Sequence, residues 1–342
     1  MATGEALRVL QMVVTVLIFS VGVTLNGLVV WVLGVRRRRG GRSVGGETQS
    51  AGSFRFYVVN LALADLVLLL RTPLMLGYLA HHYSWPFGKP LCQVVMFLRC
   101  LGLYAGAFLL SAIALERCLC LLRPVWARLR RPRWAVPLIC AVLWGLAGAL
   151  SVPYITAAGL VRIHNTSQCL ENITGIGSGL VALETGVGFL LPLVIFLSCN
   201  LAVIVFARKS ESAQTTPGSP ASPGGPSYTS QRLNRLYRIL FLTMLLFLTC
   251  WVPYFTCRFL KALASGREDR AGLYAGASQG IYVSLFLVYV KSALNPVLYV
   301  FAARGLSRTV RASLLSAVEK VFNEDISDSL RRKSLRRRDS QL

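Results

Sequence analysis

The chain has 342 residues, of which 54% are apolar, a mean hydropathy of +0.57 and a formal charge of +23 at neutral pH. That apolar share excludes an ordinary soluble domain. The charge would suit a nucleic-acid binder, but the 37 Lys and Arg residues are spread between apolar runs rather than gathered on one face, so no nucleic acid is expected.

Seven stretches reach the roughly 20 apolar residues that cross a bilayer. They run from Leu7 to Leu33, Phe56 to Leu79, Leu91 to Leu122, Trp134 to Ala157, Gly179 to Ala207, Leu236 to Leu263 and Leu273 to Ala302. Without water to satisfy the backbone, each is expected to be a helix. The first is too long for a signal-peptide core and has no small-residue cleavage site, so it reads as a retained span. With the first terminus placed outside, the four cytoplasmic stretches hold 26 of the 37 Lys and Arg and the outer stretches hold 6. That asymmetry predicts an outer amino terminus and a cytoplasmic carboxyl terminus, with basic residues attracted to anionic inner-leaflet lipid.

Of nine cysteines, Cys92 and Cys169 fall at the outer ends, in an oxidising compartment, and can form one disulfide. The outer loop that carries Cys169 also holds the glycosylation sequons of Asn165 and Asn172. The loop 35–53 is rich in Arg and Gly, and TTPGSPASPGGPS in the loop 209–230 has a linker's composition. The expected organisation is a membrane domain over 1–303, an amphipathic surface helix over 304–322 with Leu306, Val310, Leu314, Val318 and Val321 on one side, and a basic disordered tail over 323–342. Ser334 and Ser340 in RRKSLRRRDSQL are candidate kinase sites.

Short motifs recur at matching depths in successive spans. They are LNGLVV with Asn26, NLALADLVLLL with Asp65, SAIALERCLCLLRPVW with Glu116 and Arg117, then Trp144, FLLPL with Pro192, TCWVPY with Trp251 and Pro253, and LNPVLY with Asn295, Pro296 and Tyr299. Together with Cys92 and Cys169, this order resembles the rhodopsin-like G-protein-coupled receptors along the whole chain. The resemblance implies an all-α, seven-helix membrane protein at the plasma membrane that is not an enzyme. It implies that Glu116 and Arg117 form the lock at the cytoplasmic end of the third span, here in a Glu-Arg-Cys triplet instead of Asp-Arg-Tyr. Trp251, Pro253, Asn295, Pro296 and Tyr299 resemble the family's moving parts, since prolines permit bending. No catalytic constellation, metal cluster or cofactor motif is present: His81, His82 and His164 stand in outer loops without clustered ligands.

Lys291 is a charge set in the middle of the last span, where an unpaired ammonium costs several kcal/mol. It precedes Asn295 by four residues, on one helix face. In the family that face meets the aspartate that is Asp65 here, often with a sodium ion between them. Gly106 stands where many relatives have a sodium-binding serine. The expectation is that the Lys291 ammonium takes the sodium position and pairs with Asp65, with Gly106 leaving room; the alternative is a lysine that lines a wet pocket. An opsin is disfavoured, because its Schiff-base lysine would fall at Tyr289, about 200° around the helix.

Arg99 precedes Arg117 by five helical turns, about 27 Å, and so faces inward in the outer half. Arg258 follows Trp251 by seven, and Arg71 lies above Asp65. Three cations in an apolar cavity ask for an anionic ligand. With Tyr104, Glu184 and Phe255 they make the expected ligand-binding set. A purely internal salt bridge from Glu184 to Arg258 or Arg99 is the competing structural explanation. FLLSAIALERCLCLLRPVWA resembles the chemoattractant-type prostaglandin D2 and anaphylatoxin receptors, ETGVGFLLPL with Tyr104 the leukotriene B4 receptors, and SLLSAVEKVFNEDISDS the formyl-peptide and prostaglandin D2 chemoattractant receptors, all of the chemoattractant branch. The short MATGEA start disfavours a large protein ligand, so a small anionic lipid of the leukotriene B4 type is expected, with a short peptide as the alternative. The branch implies an inhibitory-class heterotrimeric G protein, arrestin and receptor kinases as partners. A transporter is disfavoured because no internal repeat is seen.

Overall fold

The computed structural model describes residues 2–36, 49–123, 132, 134–163, 166–171, 176–214 and 226–302. The chain divides into two compact units, Met1–Pro296 and Val297–Leu342. The surface helix and tail expected over 304–342 lie outside the described residues, with Ser334 and Ser340, as do the sequon residues Asn165 and Asn172.

The described residues are almost wholly helical. They form α1 (Ala2–Val29), α2 (Gln49–Leu69), α3 (Thr72–Ala80), α4 (Gly88–Leu122), α5 (Ala135–Ser151), α6 (Pro153–Ala157), α7 (Ile176–Thr185), α8 (Leu191–Gln214), α9 (Pro226–Ala264) and α10 (Ala271–Ala302). Wide-turn π segments extend α1 over Val30–Arg36 and join α7 to α8 over Gly186–Leu190. Among the described residues, six helical segments are long and apolar enough to cross a membrane: Gly4–Gly34, Gly52–Ala80, Gly88–Cys120, Ala135–Ala157, Gly179–Phe206 and Ala271–Val297. The remaining expected span, Leu236 to Leu263, lies within the 39-residue α9.

The burial pattern is that of a protein solvated by lipid. Large apolar side chains such as Leu17, Val142, Val194, Leu201 and Val283 are more than half exposed, while Asn26, Asp65, Glu184, Lys291 and Asn295 are buried. Polar groups inside a membrane bundle are costly unless they pair, so they gather at its centre.

The second span is not continuous. It breaks at Leu70–Arg71, between α2 and α3, because Pro73 has no N–H to give the Leu69 carbonyl and its ring crowds that turn. Arg71 thereby becomes the cap residue of α3. Pro253 and Pro296, by contrast, sit inside α9 and α10 without ending them. The central helix α4 packs on α2 at Gly102, where a Cβ would lie 2.8 Å from Leu68 Cβ and 3.0 Å from Leu68 Cα and N. Any larger residue would have to displace backbone.

The outer loop expected after the fourth span is a hairpin. Strands β1 (Ala158–Ile163) and β2 (Thr166–Glu171) pair antiparallel, with Leu160 opposite Cys169. Cys92 at the start of α4 is disulfide-bonded to Cys169, across 77 residues. The Trp85 N–H donates to the Ser167 carbonyl at 2.6 Å, so β2 is held at both its centre and its start.

Candidate functional site

At the end of the bundle that carries the disulfide and the hairpin, four charges meet. Arg99 comes from α4, Arg258 from α9, Glu184 from α7 and Glu171 from the end of β2. Glu184 has no exposed surface. Its carboxylate takes Arg258 Nη2 at 2.7 Å and Arg99 Nη1 at 3.4 Å. Tyr254 and Tyr154 donate their hydroxyls to it at 2.7 and 3.0 Å. Glu171 bridges the same two arginines: it takes Arg258 Nη2 at 2.9 Å and is paired with Arg99. Burial alone would raise the Glu171 carboxyl, but Arg258 and then Arg99 draw it down to about 2. Arg99 also donates to the Tyr254 hydroxyl and lies 5.7 Å from the Tyr154 ring centre.

The internal salt bridge weighed from sequence is therefore present, and it engages both arginines at once. Sequence reading did not find Glu171. The signal was its place two residues after Cys169, since the disulfide carries β2 over the cluster.

A cavity of about 120 Å³ adjoins this network, walled by Arg71, Arg99, Glu171, Arg258 and Lys261 with apolar side chains such as Val95 and Leu285. A second, of about 390 Å³, lies between α1, α3 and α10 and shares the Arg71 wall. Arg71 is 3% exposed. Its Nη2 donates to Met75 Sδ at 3.4 Å, and its guanidinium lies 5.6 Å from the Tyr289 ring centre. Tyr104 and Phe255 line neither cavity. Tyr104 is fully buried with its hydroxyl 3.5 Å from that of Tyr154. Phe255 stacks on Phe189 at 4.8 Å and on Trp251 at 5.7 Å.

Deeper, Asn295 Nδ2 donates to Asp65 Oδ2 at 2.8 Å, and Asn26 Nδ2 donates to the Ser292 carbonyl at 3.1 Å. The expected Lys291–Asp65 ion pair is not formed: among the described residues Lys291 makes no ion pair within 4.0 Å. Its ammonium lies 5.8 Å from the Trp251 ring centre, one turn nearer the outer cavity, and Asn295 reaches the carboxylate in its place. A Cβ on Gly106 would meet nothing within 4 Å, so the space expected there exists. At the other end, Arg117 lies over the Phe54 ring at 3.5 Å, and Cys120 donates to Glu116 at 3.7 Å. Tyr299 belongs to α10, and its side chain lies outside the described residues.

A bundle of membrane-length helices, with buried charge at one end and a polar centre, is the architecture of a multi-pass membrane receptor. A family model described as 7 transmembrane receptor (rhodopsin family) matches residues 25–299, and the chain belongs to that family. It is a seven-helix G-protein-coupled receptor, not an enzyme, and couples to heterotrimeric G proteins. Relatives include the C3a anaphylatoxin chemotactic receptor of Oncorhynchus mykiss, 29% identical over 94% of this chain and 82% of that receptor. The C5a anaphylatoxin chemotactic receptor 1 of the same species is 32% identical over 93% and 83%. Prostaglandin D2 receptor 2 of Rattus norvegicus is 28% identical over 89% and 71%.

Proposed function

We propose that the chain is a plasma-membrane receptor for an anionic lipid mediator of the leukotriene B4-like eicosanoid type, acting in chemotaxis through an inhibitory-class G protein. The observation that carries this reading is the excess of cation over carboxylate around the apolar cavities: Arg71 and Lys261 stand there in addition to Arg99 and Arg258, which Glu171 and Glu184 already match. Relatedness to a prostaglandin D2 receptor supports a lipid acid. The distribution of Lys and Arg supports an outer amino terminus, and the basic tail with Ser334 and Ser340 is then the substrate of receptor kinases and, once phosphorylated, the docking segment for arrestin. Within this reading Glu116 and Arg117 serve G-protein coupling, with Trp251, Pro253, Asn295, Pro296 and Tyr299 transmitting the change. Lys291, turned toward Trp251, keeps a positive charge in the buried region above Asp65 without pairing with it.

A second reading, a receptor for a short peptide, is favoured by the anaphylatoxin-receptor relatives, and a peptide's terminal carboxylate would suit the same cations. The deciding experiment expresses the chain in cells without other chemoattractant receptors and records inhibition of cyclic AMP. The panel holds leukotriene B4, prostaglandin D2, hydroxy- and oxo-fatty acids, their methyl esters, formyl peptides and anaphylatoxins. The expected result is a response to a free lipid acid that its methyl ester does not give. A response confined to peptides would overturn the lipid reading.

A further inference from the structure

Arg99 and Arg258 are matched in charge by Glu171 and Glu184. Arg71 is not. It forms no ion pair among the described residues, and its Nε and Nη1 are buried without a hydrogen-bond partner. Two further polar groups beside it are in the same condition: the Thr72 hydroxyl, at 4% residue exposure, and the Tyr289 hydroxyl, at 7%. All three residues line the cavity between α1, α3 and α10. Buried donors without acceptors are costly, and a buried guanidinium most of all. Three of them converging on one space specify an acceptor that is anionic.

The space itself specifies the rest of the molecule. Small-molecule sites range over roughly 300–1,000 Å³. The cavity beside the four-charge network, at about 120 Å³, is below that range, and the cavity behind Arg71, at about 390 Å³, is within it. Away from Arg71 its walls are largely apolar, with Ile18, Leu79 and Phe286 among them. Leu7 and Val283 on its rim are 49% and 57% exposed, so it opens on the flank of the bundle between α1 and α10.

We propose that this cavity is a binding site for a long-chain amphiphile with an anionic head, the head on Arg71, Thr72 and Tyr289 and the chain between α1 and α10. Resting on the lipid-acid function proposed above, it makes this cavity, and not the Arg99–Arg258 cluster, the mediator's seat. Such a head can come from a free fatty acid or from an anionic phospholipid.

The test uses the purified full chain in phosphatidylcholine nanodiscs. The probes are a diazirine-bearing octadecanoic acid, the matched octadecanol, and a diazirine phosphatidylserine, with crosslinks mapped by mass spectrometry. The acid is expected to label residues on α1 between Leu7 and Ile18 and on α10 between Val283 and Phe286. The alcohol should label them about tenfold less, as should the acid in Arg71→Gln. Ile18→Trp, which fills the cavity and keeps Arg71, should block labelling as well. Since Arg71→Gln removes a charge without a carboxylate partner, its unliganded melting temperature should match or exceed that of the parent.

Labelling by the acid around Val181 and Ala262, which line the smaller cavity beside the four-charge network, unchanged in Arg71→Gln, would overturn this site while leaving the lipid-acid function standing. Equal labelling by acid and alcohol would overturn it too, as would no labelling of the cavity or a strong loss of stability in Arg71→Gln. Labelling by phosphatidylserine and not by the fatty acid would sustain the anion site and overturn the mediator as its occupant.

Discussion

Glu184 has no exposed surface, and four donors converge on it: Arg258 and Tyr254 at 2.7 Å, Tyr154 at 3.0 Å and Arg99 at 3.4 Å. Glutamine in that place would present one acceptor oxygen and an amide N–H₂ to groups that all donate. It would also leave two buried arginines sharing the single carboxylate of Glu171. Breaking a buried pair by removing one partner costs roughly 3–5 kcal/mol. Glu184→Gln should destabilise the detergent-solubilised receptor by that order, seen as a clearly lower melting temperature when thermal unfolding of the two proteins is compared. An unchanged melting temperature would show that Glu171 alone balances both arginines. At this scale the sequence identified the arginines and Glu184 from helical spacing. It could not show that the cluster is internally neutral, because Glu171 reaches it through a hairpin and a disulfide, contacts with no helical period.

The helices themselves were legible, since lipid demands long apolar runs with internally bonded backbones. Their interruptions were not. Pro73 and Pro253 are the same residue type within apolar runs, yet one ends a helix at Leu69 and the other stays inside α9. Packing against neighbours decides which occurs, and one chain's pattern holds no record of that packing. Glycines divide in the same way. On α4, Gly102 meets the Leu68 backbone at 3.0 Å, whereas Gly106, one turn on, faces open space. Gly102→Ala should therefore push α2 from α4 and cost about 1–3 kcal/mol, as overpacking does. Gly106→Ala should be neutral or raise stability by about 0.5–1 kcal/mol through helix propensity. Thermal melts of both variants compare the two positions on one helix, and an equal loss from each would refute the close approach at Gly102.

Among the described residues, buried polar groups form a column from the Arg99–Arg258 cluster to the Glu116 end of α4. Trp251 packs against Phe255 and Tyr254, and Lys291 lies 5.8 Å from its ring centre. Asn295, one turn beyond Lys291, holds Asp65 at 2.8 Å. A sodium ion bound beside Asp65 would have to share this buried region with a fixed ammonium, and like charges in a weakly screened interior repel strongly. Any ligand that binds one state better shifts the equilibrium toward it, and an ion that is excluded shifts nothing. Basal nucleotide exchange on the G protein should therefore be the same in sodium chloride as in potassium chloride. Lys291→Gln removes the ammonium but leaves Asp65, Asn295 and the open space at Gly106, so its basal exchange should fall as sodium rises. Guanine-nucleotide exchange in membranes reads both without any agonist. A marked sodium effect on the parent chain would mean that Lys291, turned toward Trp251, leaves the site beside Asp65 open to the ion.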